Sequence, residues 1–430
     1  MIRRIYVDGY KSLQKVELPL ERLTIVLGPN AAGKSNLFDA LRLLSKMVNS
    51  RSLDEAFKDH RGDPLEAFDY SEGGISTLLK KEEAHFTIQV DVELSDSVVA
   101  HTEQMIQQYR AANASEGKSP KNQTRKVTEH LLRYRVTIAI QPRAGVLRVI
   151  DEYLCALKEK NGQLRPDERR NPFLERIGDR IRLRMEGQAR PTEYKLGLNY
   201  TVASQPVYPP HYPHLVAFRE EVFRWQFYYL EPRLMREETP LRETNTLTAL
   251  GGDLAAFYYT LQRKNPYQFD NIQKTIQMLV PTISGISPEL TEEGKIRLRI
   301  REHGVDFSAK VVSEGTLRLL GLIAIVSLTN PATMVCFEEP ENGVHPRRLK
   351  LIADLLRNAS EHKQIIVNTH SPLLPDYLED AHLIQCTKKG KHSDFQPRHN
   401  AIGFFGASNV PETPEEETPI SQRILRGDWE

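Results

Sequence analysis

The 430-residue chain carries little cysteine, and what it has is scattered: Cys155, Cys336 and Cys386 form no CxxC pair. That spacing argues against a disulfide framework or a zinc site, and for a reducing cytoplasmic setting. Charge of one sign is also lacking. Lys and Arg total 58 against 57 Asp and Glu, a net of +1, so there is no global electrostatic case for nucleic acid, although one basic face would escape this argument. Long hydrophobic runs are missing too. The longest, Leu319 to Leu328, is too short to span a bilayer, and the basic start Met1 to Arg4 is followed by no apolar signal core. No membrane is therefore expected. The chain shows no internal repeat, no heptad run of coiled-coil length and no DxD pair. Apolar residues at 40% and charged residues at 27% describe an ordinary globular protein.

What the chain does contain is a strand, a glycine-rich loop and a helix in immediate succession. Leu23 to Leu27 is a short apolar run of the kind that forms a buried strand. Gly28-Pro29-Asn30-Ala31-Ala32-Gly33-Lys34-Ser35 matches GxxxxGK[ST], and the residues from Asn36 to Leu44 place apolar side chains at helical spacing. Glycines let the backbone curl so that its N–H groups converge on phosphate oxygens, and the helix N-terminus adds partial positive charge. In such a loop Lys34 would bridge the β- and γ-phosphates and the Ser35 hydroxyl would hold Mg²⁺. The competing reading, an accidental match in a turn, is disfavoured by the flanking strand and helix.

A P-loop needs an acidic partner for its metal. Met334 to Phe337 is an apolar strand that ends in Glu338 and Glu339. One carboxylate could hold the ion while the next, pointing to the other side of the strand, polarises the attacking water. The alternative is a solvated pair in a turn. Val367-Asn368-Thr369-His370-Ser371-Pro372 places His370 just past another buried strand, at the end where ligands bind in an open parallel sheet. Ser313, before Glu314-Gly315-Thr316, sits at a plausible N-cap of the apolar helix that follows, either as a cap alone or as a second phosphate-binding N-terminus presented to a partner's nucleotide.

Elsewhere, Ile2 to Val7 and Val16 to Leu20 read as strands, and His85 to Leu94, Tyr134 to Ile140 and Val146 to Leu154 alternate as in an antiparallel sheet. Ala111 to Lys126 reads as a loop or frayed helix end, and Lys158 to Arg170 as polar surface. Gln205 to His214, with four prolines, reads as extended connection outside the core, its histidines as surface or packing groups and not metal ligands. The aromatic stretch Glu221 to Leu230 reads as a buried anchor. Leu247 to Leu261 and Phe269 to Leu279 read as helices capped by Gly251-Gly252-Asp253 and by Asp270. Ile296 to Ile300 is a strand. Leu317 to Leu328 and His345 to Leu356 are helices, alternating with apolar strands at Thr333 to Phe337 and Gln364 to Asn368, which indicates a parallel sheet. From Gly403 the chain turns polar and acidic, as a disordered or lightly docked tail would.

Together GxxxxGKS, the turn Ser313-Glu314-Gly315, FEEPE followed by Glu341-Asn342-Gly343-Val344-His345-Pro346, NTHSP and the opening Gly9-Tyr10-Lys11-Ser12-Leu13 resemble the ABC-type ATPase heads of the RecF, SMC and OLD group. The likeness covers most of the chain and is strongest over residues 1 to 45 and 295 to 385, with weaker matches at Phe227 to Arg236 and Gly251 to Ala255. It implies an α/β P-loop NTPase of ABC/RecF type: a mixed sheet around the P-loop, an antiparallel β lobe and a helical insertion. The implied division is 1–95 and 281–402 for the two parts of the ATPase head, 96–280 for the inserted lobe and 403–430 for the tail. The nucleotide-binding set would be Gly28 to Asn36 with Lys11, Ser313 and Gly315. Lys34, Glu339 and His370 would be catalytic, Glu339 as base and His370 as switch histidine. Ser35 and Glu338 would hold Mg²⁺, and His345 would lie near the segment that crosses a dimer interface. The signature reads SEGT where the group has SGGQ, and Gln89 is offered for the γ-phosphate glutamine that the pattern does not locate.

OLD nucleases carry a Toprim domain with a DxD motif, and SMC proteins carry long coiled-coil arms; this sequence has neither. What remains is similar to the ATPases of anti-phage systems such as PARIS and Septu. The expectation is an ATP- and Mg²⁺-dependent homodimer, or a higher homo-oligomer, that controls a separately encoded effector: a Toprim or HNH nuclease or a toxin. Double-stranded DNA is a possible further ligand. Two other expectations stand beside it, a RecF-like DNA repair ATPase and an ATP-gated scaffold.

Overall fold

The computed structural model describes residues 1–112, 126–187, 190–398, 419 and 421–422. In chain order the strands are β1 (Ile2–Asp8), β2 (Val16–Pro19), β3 (Leu23–Leu27), β4 (Ala84–Glu93), β5 (Leu131–Gln141), β6 (Val146–Lys160), β7 (Gln163–Pro166), β8 (Leu174–Ile177), β9 (Arg180–Leu183), β10 (Thr192–Lys195), β11 (Trp225–Tyr228), β12 (Thr239–Pro240), β13 (Ile283–Leu290), β14 (Lys295–Glu302), β15 (Val305–Ser308), β16 (Met334–Glu338), β17 (Gln364–Thr369), β18 (His382–Lys389) and β19 (His392–Arg398). The helices are α1 (Lys34–Asn49), α2 (Leu53–Phe57), α3 (Gly74–Leu78), α4 (Asp96–Ala112), α5 (Pro213–Phe223), α6 (Pro232–Met235), α7 (Leu254–Lys264), α8 (Pro266–Leu279), α9 (Glu314–Val326) and α10 (Leu349–Ser360). None of those described is long and apolar enough to cross a membrane.

Two compact units interleave along the sequence. Of the described residues, the first takes most of Met1–Glu21, Ala31–Trp225 and Cys386–Gln396; the second takes Arg22–Asn30, Gln226–Gln385, Pro397 and Arg398.

The first unit is built on an antiparallel sheet in the order β10-β9-β8-β6-β5-β4-β1-β2, with β7 paired to β6. Period-two alternation decides which face is buried. Phe86, Ile88, Val90 and Val92 of β4 lie opposite Ile138, Val136, Tyr134 and Leu132 of β5, all buried. The Tyr134 ring meets Phe218 of α5 at 4.7 Å. Helix α1 buries Leu37, Leu41, Leu44 and Val48, the spacing of one helical face. Beneath the sheet the fully buried Glu152 accepts from the Tyr134 hydroxyl at 2.8 Å and from the N–H groups of Val202 at 2.6 Å and Ala203 at 2.9 Å.

The second unit holds the expected parallel sheet, with the strand order β11-β16-β17-β3-β18. β16, β17, β3 and β18 run parallel. β3 and β17 are buried along their whole length, which is why both read as continuous apolar runs without alternation. Helix α9 buries residues on every side, as its composition requires. An antiparallel sheet, β12-β14-β13 with β15 on β14, completes this unit together with α7 and α8.

Several local expectations need correction. The helix expected from Leu247 starts at Leu254, and Asn265 rather than Asp270 caps α8, accepting from the Gln268 N–H at 3.2 Å. The stretch around His345 is a short 3₁₀ turn before α10 begins at Leu349. Gln205 to His214 does enter the core: Pro209, Pro210 and Tyr212 are buried, and Pro213 and His214 open α5. His214 is a packing residue. Its ring stacks on Phe173 at 4.6 Å, its Nε2 accepts from the N–H groups of Thr128 and Glu129 at 3.0 Å, and its Nδ1 meets Glu186 at 2.7 Å. Of the aromatic anchor, Trp225 and Tyr228 are buried but Phe223 is 68% exposed. Lys158 to Arg170 includes the β6–β7 hairpin. Most of the Ala111 to Lys126 loop and nearly all of the tail from Gly403 lie outside the described residues.

Burial drives the Glu152 carboxyl up to about 7, against the pull of its three donors. Its folded pKa thus lies above its unfolded value, so its contribution to stability is present at low pH and is lost as pH rises through this window. Between about pH 4.5 and 7 the wild type should lose about 3 kcal/mol relative to Glu152→Gln. Denaturant titrations of both proteins at pH 5 and pH 8 measure this difference, and a flat or opposite difference refutes it.

Candidate functional site

Three of the motifs meet at the carboxyl edge of the parallel sheet in the second unit. Strand register puts Glu338 opposite Asn368, and Asn368 and Thr369 opposite Val26 and Leu27. Gly28, Pro29 and Asn30 leave the sheet at this edge, where ligands bind in open α/β sheets. Glu338 is half-buried at the end of β16. Glu339 follows in the left-handed region, φ 49°, a conformation that costs an ordinary residue roughly 1 kcal/mol. Its N–H donates to the Asn368 carbonyl at 3.0 Å and to the Asn368 side-chain oxygen at 3.2 Å. These bonds hold the turn and bring Glu339 Oε1 to 3.0 Å from His370 Nδ1. The pair is open to water, His370 being 45% and Glu339 26% exposed.

The turn continues through Glu341, which is buried and accepts the Thr369 hydroxyl, to Gly343, φ 71°. There it touches the start of α9. A Cβ on Gly315 would lie 2.6 Å from the Gly343 carbonyl oxygen, so glycine is required for backbone contact. Ser313 caps α9, accepting the Thr316 N–H at 3.3 Å and donating to Thr316 Oγ1 at 2.9 Å. Arg236 donates to the Val312 carbonyl at 3.0 Å. His345, expected near a dimer interface, is exposed and accepts the Arg347 N–H at 3.3 Å.

In the first unit the loop resumes at Ala31. Ala31 (φ 64°) and Gly33 (φ 107°) are both left-handed, the curl that turns N–H groups inward. Lys34 opens α1 and is buried, Ser35 follows, and no acidic residue occupies the first turn to neutralise the helix N-terminus. A hydrogen-bond relay steadies the loop. Asn36 Nδ2 donates to Ser12 Oγ at 2.7 Å, the Ser12 and Ser393 hydroxyls meet at 2.6 Å, and Ser393 Oγ donates to the Ala32 carbonyl at 2.6 Å. A Cβ on Gly33 would stand 1.9 Å from Ser393 Oγ. Lys11, itself at φ 48°, places its ammonium on Asp39 at 2.7 Å and the Arg61 carbonyl at 3.1 Å. Beside it opens a cavity of about 740 Å³, whose lining includes Lys11, Ser12, Asn36, Arg61, Asp69 and Lys391.

The expected residues therefore fall into two groups. Gly28 to Asn30, Glu338, Glu339 and His370 share the sheet edge of the second unit, with Ser313 and Gly315 against the turn that follows Glu339. Ala31 to Asn36 and Lys11 belong to the first unit. Gln89, offered for the γ-phosphate glutamine, lies mid-strand in β4 between Tyr6 and Arg135. Asn368, Thr369, Glu341, Ser12, Asp39 and Ser393 were not singled out. The first four lie inside quoted motifs and could have been flagged there. Ser393, 381 residues from its partner Ser12, carries no local signal. Burial pushes the thiols of Cys155, Cys336 and Cys386 upward, which leaves all three poor nucleophiles. No cluster of three or more His, Cys, Asp or Glu suited to a metal occurs among the described residues.

A P-loop strand beside the strand that leads to His370, with the strand ending in Glu338 on the far side of that one, is the fold of an ABC-type P-loop NTPase head of the RecF/SMC kind. The model of a family described as "AAA domain, putative AbiEii toxin, Type IV TA system" matches residues 132–376, more than half of the chain, and the chain belongs to that family. A second model, "AAA ATPase domain", matches residues 1–142. No curated protein matches the chain. Similar solved structures include an SMC head bound to the C-winged helix domain of ScpA, 14% identical over 93% of this chain and 98% of that one, TM-score 0.54. Another is the SMC head domain with an extended coiled coil bound to the C-terminal domain of ScpA, derived from Pyrococcus furiosus, 12% identical over 93% and 96%, TM-score 0.51. At these identities the likeness is one of fold.

The two glycines of α9 should respond differently to alanine. Gly321 faces only side-chain tips, Met235 Cε and Leu230 Cδ1, which can move. Gly315 faces backbone. Gly321→Ala should stay within about 1 kcal/mol of wild type, with helix propensity offsetting the crowding. Gly315→Ala should destabilise by about 2 kcal/mol. Equal melting of the two variants would refute the contact.

Proposed function

We propose that this protein binds and hydrolyses ATP, dimerises around it, and thereby controls a separately encoded nuclease or toxin in anti-phage defence within the cytoplasm. The observation that carries this reading is the Glu339–His370 pair, set next to Glu338 at the sheet edge from which the P-loop departs. Catalysis of phosphoryl transfer is mostly positioning and charge stabilisation, and the residues fit that work. The left-handed curl at Ala31 and Gly33 and the uncompensated N-terminus of α1 suit phosphate. Lys34 pairs with the β- and γ-phosphates. The Ser35 hydroxyl and the Glu338 carboxylate are the hard oxygen donors that Mg²⁺ prefers, and the bound ion would neutralise phosphate charge. Glu339 orients and deprotonates the attacking water, with His370 at its carboxylate. The cavity beside Lys11 and Arg61 is of a size for the nucleoside.

Ser313 and Gly315, presented at an exposed helix start, serve the nucleotide of a second copy. The reading of a controlled effector draws on the family description, which names a toxin–antitoxin system, and on the SMC heads, which were solved with a bound partner. DNA is treated as a regulator whose effect the assay decides.

Phosphate release by the purified protein, with and without double-stranded DNA, tests this. Glu339→Gln should lower kcat by about 100-fold or more while retaining ATP, and should accumulate as an ATP-bound dimer on light scattering. Lys34→Ala should lose nucleotide binding. Absence of turnover under both conditions, with Glu339→Gln indistinguishable from wild type, would refute the proposal.

A further inference from the structure

Glu341 is a carboxylate to which the reading above gives no part. It is 7% exposed, and its Oε1 accepts a hydrogen bond from the hydroxyl of Thr369. Thr369 is the last residue of β17 and is fully buried; its Oγ1 in turn accepts the N–H of Ser371 at 2.9 Å. The other oxygen of Glu341, Oε2, is buried with no hydrogen-bond partner among the described residues. A buried carboxylate with one orphaned oxygen is unfavourable, and burial pushes this carboxyl above the usual range, toward the neutral acid. The relay from the Ser371 N–H through Thr369 to Glu341 therefore joins the turn after β16 to the turn after β17. Its two attachment points, residues 369 and 371, flank His370.

His370 is largely exposed, so its place is set by the main chain on either side more than by packing around the ring. We propose that Glu341 is a positioning residue for His370: through the Thr369 hydroxyl it fastens the β17 turn and keeps the imidazole within reach of Glu339. The proposal rests on the ATPase reading given above. Without the carboxylate, the Thr369 hydroxyl loses its acceptor in a site closed to water and rotates to find another. Its alignment with the Ser371 N–H goes with it. Glutamine in the same place would still accept through its amide oxygen.

The test compares Glu341→Ala, Glu341→Gln, Thr369→Val and Thr369→Ser in the full chain, reading kcat, KM for MgATP and amide exchange at Ser371. Glu341→Ala and Thr369→Val should each lower kcat about 10-fold or more with KM within about 2-fold, the mark of lost alignment and not lost binding. The double variant should be no worse than the worse single one, since both break one relay. Glu341→Gln and Thr369→Ser should recover most of the loss. Ser371 exchange should accelerate in Glu341→Ala and Thr369→Val alone. Wild-type kcat in Glu341→Ala, equal damage in Glu341→Gln, or unchanged Ser371 exchange would overturn the proposal. If Glu341→Ala fails to fold, Thr369→Val decides it. If the wild type has no turnover the ATPase reading falls, and Ser371 exchange alone decides whether Glu341 positions this turn.

Discussion

The N–H of Glu339, shared between the carbonyl and the side-chain oxygen of Asn368, is the contact on which this edge of the parallel sheet depends. A strand continuing from Phe337 and Glu338 would carry Glu339 onward along its own axis. The left-handed φ at Glu339 turns the chain instead, and no side-chain preference favours that conformation in a glutamate. The turn therefore exists because the neighbouring strand holds it. Its consequences follow in order along the chain: Glu339 meets His370, Glu341 meets Thr369, and Gly343 comes against Gly315 at the start of α9. Strain at one residue thus sets the placement of three motifs that the sequence keeps far apart.

Charge balance has a structural origin as well. Strand β14 carries Arg297, Arg299 and Arg301 on alternate positions, a stripe that would suit a polyanion if it stood alone. Cross-strand carboxylates cover it: Glu289 faces Arg297 and Arg299, and Asp306 faces Arg301. In the first unit the buried Asp91 is held by Arg4 at 2.9 Å and by Arg133 at 2.6 and 2.8 Å. The pairs on β14 are partly exposed and add little stability each. They do keep the single-sign field of the arginine stripe small.

Legibility followed range. Motifs whose chemistry lies within a few residues could be read directly: the loop from Gly28 to Ser35, the strand ending at Glu338, the cap at Ser313. Burial on both faces made β3, β16 and β17 visible as apolar runs, and burial on one face made β4 and β5 visible as alternation. Short strands were missed where neither rule applies. β10 is polar and mostly exposed, so its pairing with β9 leaves no hydrophobic mark. The cap of α8 was misplaced because Asp270 and Asn265 are both good caps by type, and Pro266 at the first helical position decides for Asn265. Gln205 to His214 looked like surface because prolines dominate it, yet prolines lack only a donor, and Pro209 and Pro210 pack as apolar groups. The Ser12–Ser393 relay was beyond reach because its halves come from opposite ends of the chain and neither serine is unusual in its own context.

The position of β3 explains why the P-loop appears so early in the chain while its sheet is completed so late. β3 lies between β17 and β18, pairing Ile365 to Thr369 on one side and His382 to Gln385 on the other. Residues 22–30 are thus a short donation to a unit whose other members begin at Gln226. Until β16, β17 and β18 exist, Leu23 to Leu27 has no parallel partners and its five buried side chains have no sheet to join. From Ala31 the loop is shaped by α1 and by the serine relay, within the first unit. A piece containing the P-loop alone, such as residues 1–142, loses the edge that carries Glu338, Glu339 and His370, and with Ser393 it loses the relay as well. The curl at Ala31 and Gly33 and the Glu339–His370 pair therefore belong to different units, although in sequence β3 and α1 are joined by the few residues between Leu27 and Lys34. Non-local pairing of this kind is slow to form and cooperative once formed. Any influence that loosens β17, which ends next to His370 and pairs with β3 from Ile365 to Thr369, acts on the Glu339–His370 pair.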